Sequence, residues 1–406
     1  MIVSLIDSAK ATIDIATPSF ASWSGCTPFT DAPACTPGCS AAKQRDETFP
    51  VFPALLNAMR HRGVKVRIVT NDFSTPDCAG TLTPLSYLAL NGATVRWYNQ
   101  TTFMHAKYVS IDGKRTSVSS INFSKTSFTR NREAGAVLEG AGTASARAAA
   151  AAGFERDFDR GSALVPLKYN ASDMAIIVAP EEVLPVVLPP APANDTKYFV
   201  TPAPNPVTTS AESLSVYMSP DYAYQTLAAE LAAAQSTFDL MIYQVTGDDL
   251  CNQLLSMASN TSSGGRGIAT RVFVSSRIFG QSDCDAAKQC YARLIAAGIG
   301  VRMTSLHFTF SHQKFWIRDG KVVTWSTGNW SPSDYPKGTG TLELPAYGNA
   351  DWRSVNRDYT VSVQDAGVVA QFQQVMDQDW QTGYNLYNVS SDFTIKCGFD
   401  NDALLR

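Results

Sequence analysis

The 406-residue sequence predicts an α/β fold made of two duplicated halves, each a helix-covered mixed β-sheet. Three observations carry that prediction. A four-point spacing of polar residues occurs twice, strand-like and helix-like segments alternate in the same order around each copy, and a proline-rich stretch lies between them. The halves are read as residues 1–177 and 213–406, joined by an extended connector at 178–212 that holds eight of the 21 prolines.

In chain order, residues 2–10 have a helical apolar pattern and Thr12 to Ala16 reads as a strand. A loop rich in Cys, Pro, Ser and Thr fills 17–42. Phe49 to Arg62 is predicted as a helix, Val64 to Thr70 as a strand, Leu82 to Leu90 as a helix closed by Asn91-Gly92, and Ala93 to Tyr98 as a strand. Ala144 to Phe158 is an alanine-rich helix. The second half repeats the order. TIDIA around Asp14 returns as TFDLM around Asp239, GVKVRIVT as GIATRVFV, NGATVRWY as AGIGVRMT, and Asn131-Arg132-Glu133 as Asn356-Arg357-Asp358.

The chemistry is concentrated in FMHAKYVSIDGKRTSVSSINFS, from Phe103 to Ser124, and TFSHQKFWIRDGKVVTWSTGNWS, from Thr309 to Ser331. Each copy places Lys two residues after His, Asp seven after and Asn seventeen after. The repeated sets are His105, Lys107, Ser120 and Asn122, then His312, Lys314, Thr327 and Asn329. Residues two apart on a strand share a face, so each Lys projects beside its His. Asp112-Gly113 and Asp319-Gly320 are hairpin signals that turn the chain back and deliver the hydroxyl and the Asn. Asp112 and Asp319 have the opposite parity from their histidines and read as turn or supporting groups. An unpaired Lys in an apolar strand is costly, and an anion site accounts for it. Two imidazoles, two ammonium groups, hydroxyls and carboxamides would surround a phosphate with donors. One neutral His can attack phosphorus while its protonated counterpart donates to the leaving oxygen. This scheme needs no metal or other cofactor.

The HxKxxxxD motif followed by Ser or Thr and Asn resembles the signature of the phospholipase D superfamily, and the duplicated halves match its architecture over nearly the whole chain. One departure is that Ser119 and Ser326 stand where the family usually has Gly. The resemblance implies two motifs facing each other across a pseudo-twofold axis, a phosphohistidine intermediate, phosphodiester substrates and independence of metal. By the commoner family precedent His105 is the nucleophile and His312 the acid. Glu133 and Asp358 are candidates to accept a hydrogen bond from a histidine ring. SAKATIDIA, HQKFW, TGNWS and the segment Asp377 to Trp380 resemble the lumenal members three and four of the phospholipase D family, which implies a 5′ exonuclease on single-stranded nucleic acid. A phospholipase or transphosphatidylase, and a non-catalytic phosphate-binding protein, are the rival readings.

A formal charge of −3 and a pI near 5.8 argue against tight duplex DNA binding through many phosphate contacts. Eight cysteines read as disulfides and seven Asn-x-Ser/Thr sequons suit a glycosylated, secreted or lumenal protein. The sequons at Asn122 and Asn329 fall in the proposed site and should be unmodified. No run of about 20 apolar residues exists to span a membrane. Met1 leads straight into IVSLIDSAK, so an N-terminal targeting segment is expected to be missing. His61, at a helix end, and His307, five residues before His312, are the remaining histidines. Neither carries the motif.

Overall fold

A computed structural model describes residues 1–20, 50–72, 82–98, 102–166, 213–220, 223–305, 308–337, 355–386 and 394–398. The connector at 178–212, His307, most of the 17–42 loop, and Cys26, Cys35, Cys39 and Cys78 lie outside the described residues.

Two large sheets repeat one strand order. In the first, Gly135–Glu139, Arg115–Ser119, Tyr108–Ile111, Thr12–Thr17, Lys65–Thr70 and Thr94–Trp97 lie side by side. In the second the order is Asn356–Gln364, Val322–Ser326, Lys314–Arg318, Thr237–Ile242, Ala269–Val274 and Gly300–Met303. In each sheet the last three are mutually parallel and the motif hairpin is antiparallel to them. A shared ion pair marks the duplication. Arg67 forks onto Asp14 at 2.6 Å with Glu155 at its other side, and Arg271 forks onto Asp239 at 2.6 Å with Asp377 beside it.

Helices cover the sheets because their apolar faces need burial. Val51–Arg62 and Leu82–Leu90 pack on one face of the first sheet. Gly63 ends the former in a left-handed conformation at φ 66°, open to glycine at little cost. Asp248–Ala258 and Gln281–Ala296 do the same on the second sheet, where Cys251–Cys290 and Cys284–Cys397 form disulfides.

The other faces of the two sheets meet in a common core. Met104, Tyr108, Val118 and Phe154 from one half pack with Met241, Phe315, Trp325 and Tyr359 from the other. Ala144–Asp159 and Ala366–Thr382 close that core. Strand pairing also crosses between halves. Phe103–Met104 runs parallel to Asn356–Arg357, and the Arg132–Ser311 bridge is its counterpart. Each arginine of the Asn-Arg-acid triplets reaches an aspartate of the opposite half: Arg132 to Asp379 at 2.9 Å and the buried Arg357 to Asp157 at 3.0 Å. Both crossings run from just after one motif to the opposite half, as a pseudo-twofold relation requires. They anchor the segments that deliver the histidines.

Candidate active site

Each histidine is placed by the opposite half. The His105 N–H donates to the Arg357 carbonyl at 3.0 Å and the His312 N–H to the Arg132 carbonyl at 2.7 Å. Their rings are crossed in the same sense. His105 Nδ1 lies 2.9 Å from Asp358 Oδ1, and His312 Nδ1 lies 3.1 Å from Glu133 Oε2 and 2.8 Å from the Ser120 carbonyl. With both Nδ1 atoms engaged, the Nε2 atoms remain for chemistry.

The lysines are buried beside their histidines, 1% exposed each. Lys107 Nζ donates to the carbonyls of His105 at 2.5 Å and Thr327 at 3.1 Å, and Lys314 Nζ donates to the His312 carbonyl at 2.7 Å. Carbonyl oxygens carry no full charge, so these ammonium groups retain their capacity to attract an anion. Burial lowers the pKa of Lys107 to about 8. Burial and the nearby Lys107 push Lys314 well below its ordinary value.

The Ser120 and Thr327 hydroxyls are turned to the carboxylates. Ser120 Oγ donates to Glu133 at 2.5 Å and Thr327 Oγ1 to Asp358 at 2.7 Å. Buried carboxylates need donors, and these hydroxyls are the ones supplied by the returning strands. Asn122 and Asn329 lie at the ends of those strands with their Oδ1 atoms buried and without a partner in the described residues.

Asp112 and Asp319 are not brought to this site. They sit at the far end of the motif strands from the histidines, in turns where Asp and Gly both take positive φ, at 53° and 63° in the first and 54° and 60° in the second. The Asp112 carboxylate accepts the backbone N–H groups of Lys10, Ala11 and Thr12, and that of Asp319 accepts those of Gln235, Ser236 and Thr237. The motif's acid therefore anchors the start of the neighbouring strand, which explains its parity.

Asp334 is a site residue the sequence reading missed. Its Oδ1 lies 3.1 Å from His105 Nδ1, and Asn356 Nδ2 donates to it at 2.8 Å. The repeat hides it, because Ser127 occupies the corresponding position in the first half. His105, Asp334 and Asp358 offer three ligand atoms within 4.8 Å of one another, close enough to hold a metal ion. The same His105 Nδ1 faces both carboxylates, and Asp358 Oδ2 is buried without a hydrogen-bond partner in the described residues. Trp330 and Phe123, next to the two asparagines, are buried packing groups.

A family model described as cardiolipin synthase, PLD-like domain, matches residues 2–160 and 227–380. The phosphatidylserine synthase of Haemophilus influenzae Rd KW20 is 12% identical with a TM-score of 0.57, over 95% of this chain and 84% of that one. A polyphosphate kinase from Porphyromonas gingivalis is 12% identical with a TM-score of 0.50, over 97% of this chain and 51% of that one. Nuc, a phospholipase D family member from Salmonella typhimurium, is 17% identical with a TM-score of 0.32, over 43% of this chain and 97% of that one. Comparison with curated proteins finds no match. The two fuller structural likenesses show a common fold. With a match that takes in both halves and both motifs, the chain belongs to the cardiolipin synthase PLD-like domain family, within the phospholipase D superfamily.

Proposed function

We propose that the chain is a metal-independent phosphodiesterase that works through a covalent phosphohistidine, acting as a 5′ exonuclease on single-stranded DNA or RNA. The observation that carries the phosphodiesterase reading is the crossed pairing. Each imidazole is oriented by a carboxylate of the other half, at 2.9 Å for His105 and 3.1 Å for His312, so the two rings and two lysines form one connected set. Such a set supplies an attacking nitrogen, a proton donor and cationic groups for the charge that develops on phosphorus oxygens.

The nucleic-acid preference rests on the resemblance of TGNWS, HQKFW and SAKATIDIA to the lumenal exonuclease group. An aromatic near the site supports it. Phe279 is 60% exposed, its N–H donates to the Tyr243 hydroxyl at 2.7 Å, and the Tyr243 ring lies 5.2 Å from the His312 ring. A base can stack on such a surface with little sequence preference. The two disulfides, and the exposed sequon at Asn260, support a secreted or lumenal location. No helix of the described residues is long and apolar enough to cross a membrane. Phospholipid hydrolysis or transphosphatidylation is the second reading, favoured by the lipid synthase named in the family description.

The test incubates the protein, with EDTA present, with single-stranded oligonucleotide and with phosphatidylcholine vesicles. Mononucleotides should be released from the 5′ end. Release of choline without nucleotide product would overturn the exonuclease reading, and loss of all turnover in EDTA would overturn the metal-independent one. Phe279→Ala should raise KM for the oligonucleotide roughly tenfold, the loss of one stacked base, while leaving bis(4-nitrophenyl) phosphate hydrolysis unchanged.

A further inference from the structure

The two halves supply matched residues at the site but depart from each other at two neighbouring positions. Where the first half has Ile121 and Ser127, the second has Gly328 and Asp334. The substitutions belong together. A Cβ on Gly328 would lie 2.9 Å from Asp358 Cγ and Oδ2 and 3.1 Å from Asp334 Oδ1, so the extra carboxylate fits because position 328 carries no side chain. In the first half the Ser127 hydroxyl instead accepts a hydrogen bond from Asn131.

The histidines therefore meet different partners. The Nδ1 of His105 lies 2.9 Å from one carboxylate and 3.1 Å from a second, both nearly inaccessible to solvent. The Nδ1 of His312 faces one carboxylate and a neutral carbonyl, that of Ser120. We propose that Asp334 is the positioning residue that divides labour between the rings, holding His105 as the imidazolium that protonates the leaving oxygen and leaving His312 as the neutral nucleophile. The proposal rests on the phosphohistidine reading above and reverses the order that family precedent implies.

The electrostatics agree with the geometry. Burial and Lys107 act to lower the pKa of His105, but Asp358 and Asp334 outweigh them and raise it above 6.5. For His312, burial and Lys314, with Lys107, prevail over Glu133 and lower the pKa to about 4. Burial opposes the charge on Asp334, yet His105 and the donors around it hold its pKa well below the ordinary value. The two shifts run in opposite directions, so His105 keeps its proton to a higher pH than His312 does.

In the first step the His312 Nε2 lone pair forms a bond to phosphorus, and the phosphorus–oxygen bond breaks with its electrons on the leaving oxygen. That oxygen takes the His105 Nε2 proton. In the second step the now neutral His105 accepts a proton from water as the water oxygen attacks phosphorus, and the phosphorus–nitrogen bond returns its electrons to His312.

The test compares the full-length protein with Asp334→Asn on an oligonucleotide, whose leaving alkoxide needs a proton, and on bis(4-nitrophenyl) phosphate, whose leaving group does not. The variant should lose about 10²-fold or more in kcat/KM on the first and under about tenfold on the second, the span expected of general acid catalysis. The alkaline limb of its pH profile should also move to lower pH. Equal losses on both substrates with the limb unmoved would overturn the proposal. Should Asp334→Asn not fold, acid quench of the wild-type protein with labelled substrate and peptide mapping decides the matter. Label on His312 supports the assignment and label on His105 refutes it. Turnover with no phosphohistidine on either ring would instead remove the reading on which the assignment rests.

Discussion

On the proposed assignment, His312→Ala should lower kcat/KM by roughly 10⁴-fold or more on every phosphodiester, including those with good leaving groups, because the ring assigned to form the covalent bond is gone. His105→Ala should behave differently. With bis(4-nitrophenyl) phosphate it should still be phosphorylated, then stall, since no base remains to activate water. Burst kinetics with one equivalent of 4-nitrophenol per chain would show this, and His312→Ala should give no burst. On the same assignment the intact pair sets the pH profile. His312 must be neutral, so the rate rises as pH passes about 4. His105 must be charged, so the rate falls as pH passes its raised pKa, above 6.5. Two interacting rings titrate as a pair, and the limbs report macroscopic values.

Lys314→Met should lower kcat about 10²- to 10³-fold, the effect of removing one preorganised charge from a transition state, with little loss of stability. Met fills a similar volume, and its side chain carries no charge to desolvate. The lost hydrogen bond to the His312 carbonyl is the main penalty, about 1 kcal/mol. Burial works against the ammonium at this position, so it is kept at a cost to the fold that an incoming oxyanion repays. Circular dichroism melting beside single-turnover kinetics checks both halves of this expectation. A variant that lost stability and activity in proportion would mark Lys314 as a structural residue.

Much of this architecture was legible because duplication prints each signal twice. The parallel strands at Thr12–Thr17 and Lys65–Thr70, and the helix at Leu82–Leu90, fall where apolar pattern and turn residues place them. The pairing of Phe103–Met104 with Asn356–Arg357 was not legible, since two-residue crossings leave no periodicity to read. Glu133 and Asp358 were visible as repeated acids, but a linear sequence does not show that each serves the histidine of the other half. Asp334 escaped because it breaks the repeat, and its companion at Gly328 signals a close approach only once the carboxylates are in place. Asp112 and Asp319 illustrate the reverse case, where a repeated motif residue has a backbone-anchoring role at the far end of the hairpin.

The most direct measurement is a crystal structure with orthovanadate, a mimic of phosphorus in transit. One vanadate per chain, within bonding reach of the Nε2 atoms of both His105 and His312 and flanked by Lys107 and Lys314, is the predicted result. Two oxyanions in separate pockets, or one that touches a single half of the chain, would contradict it.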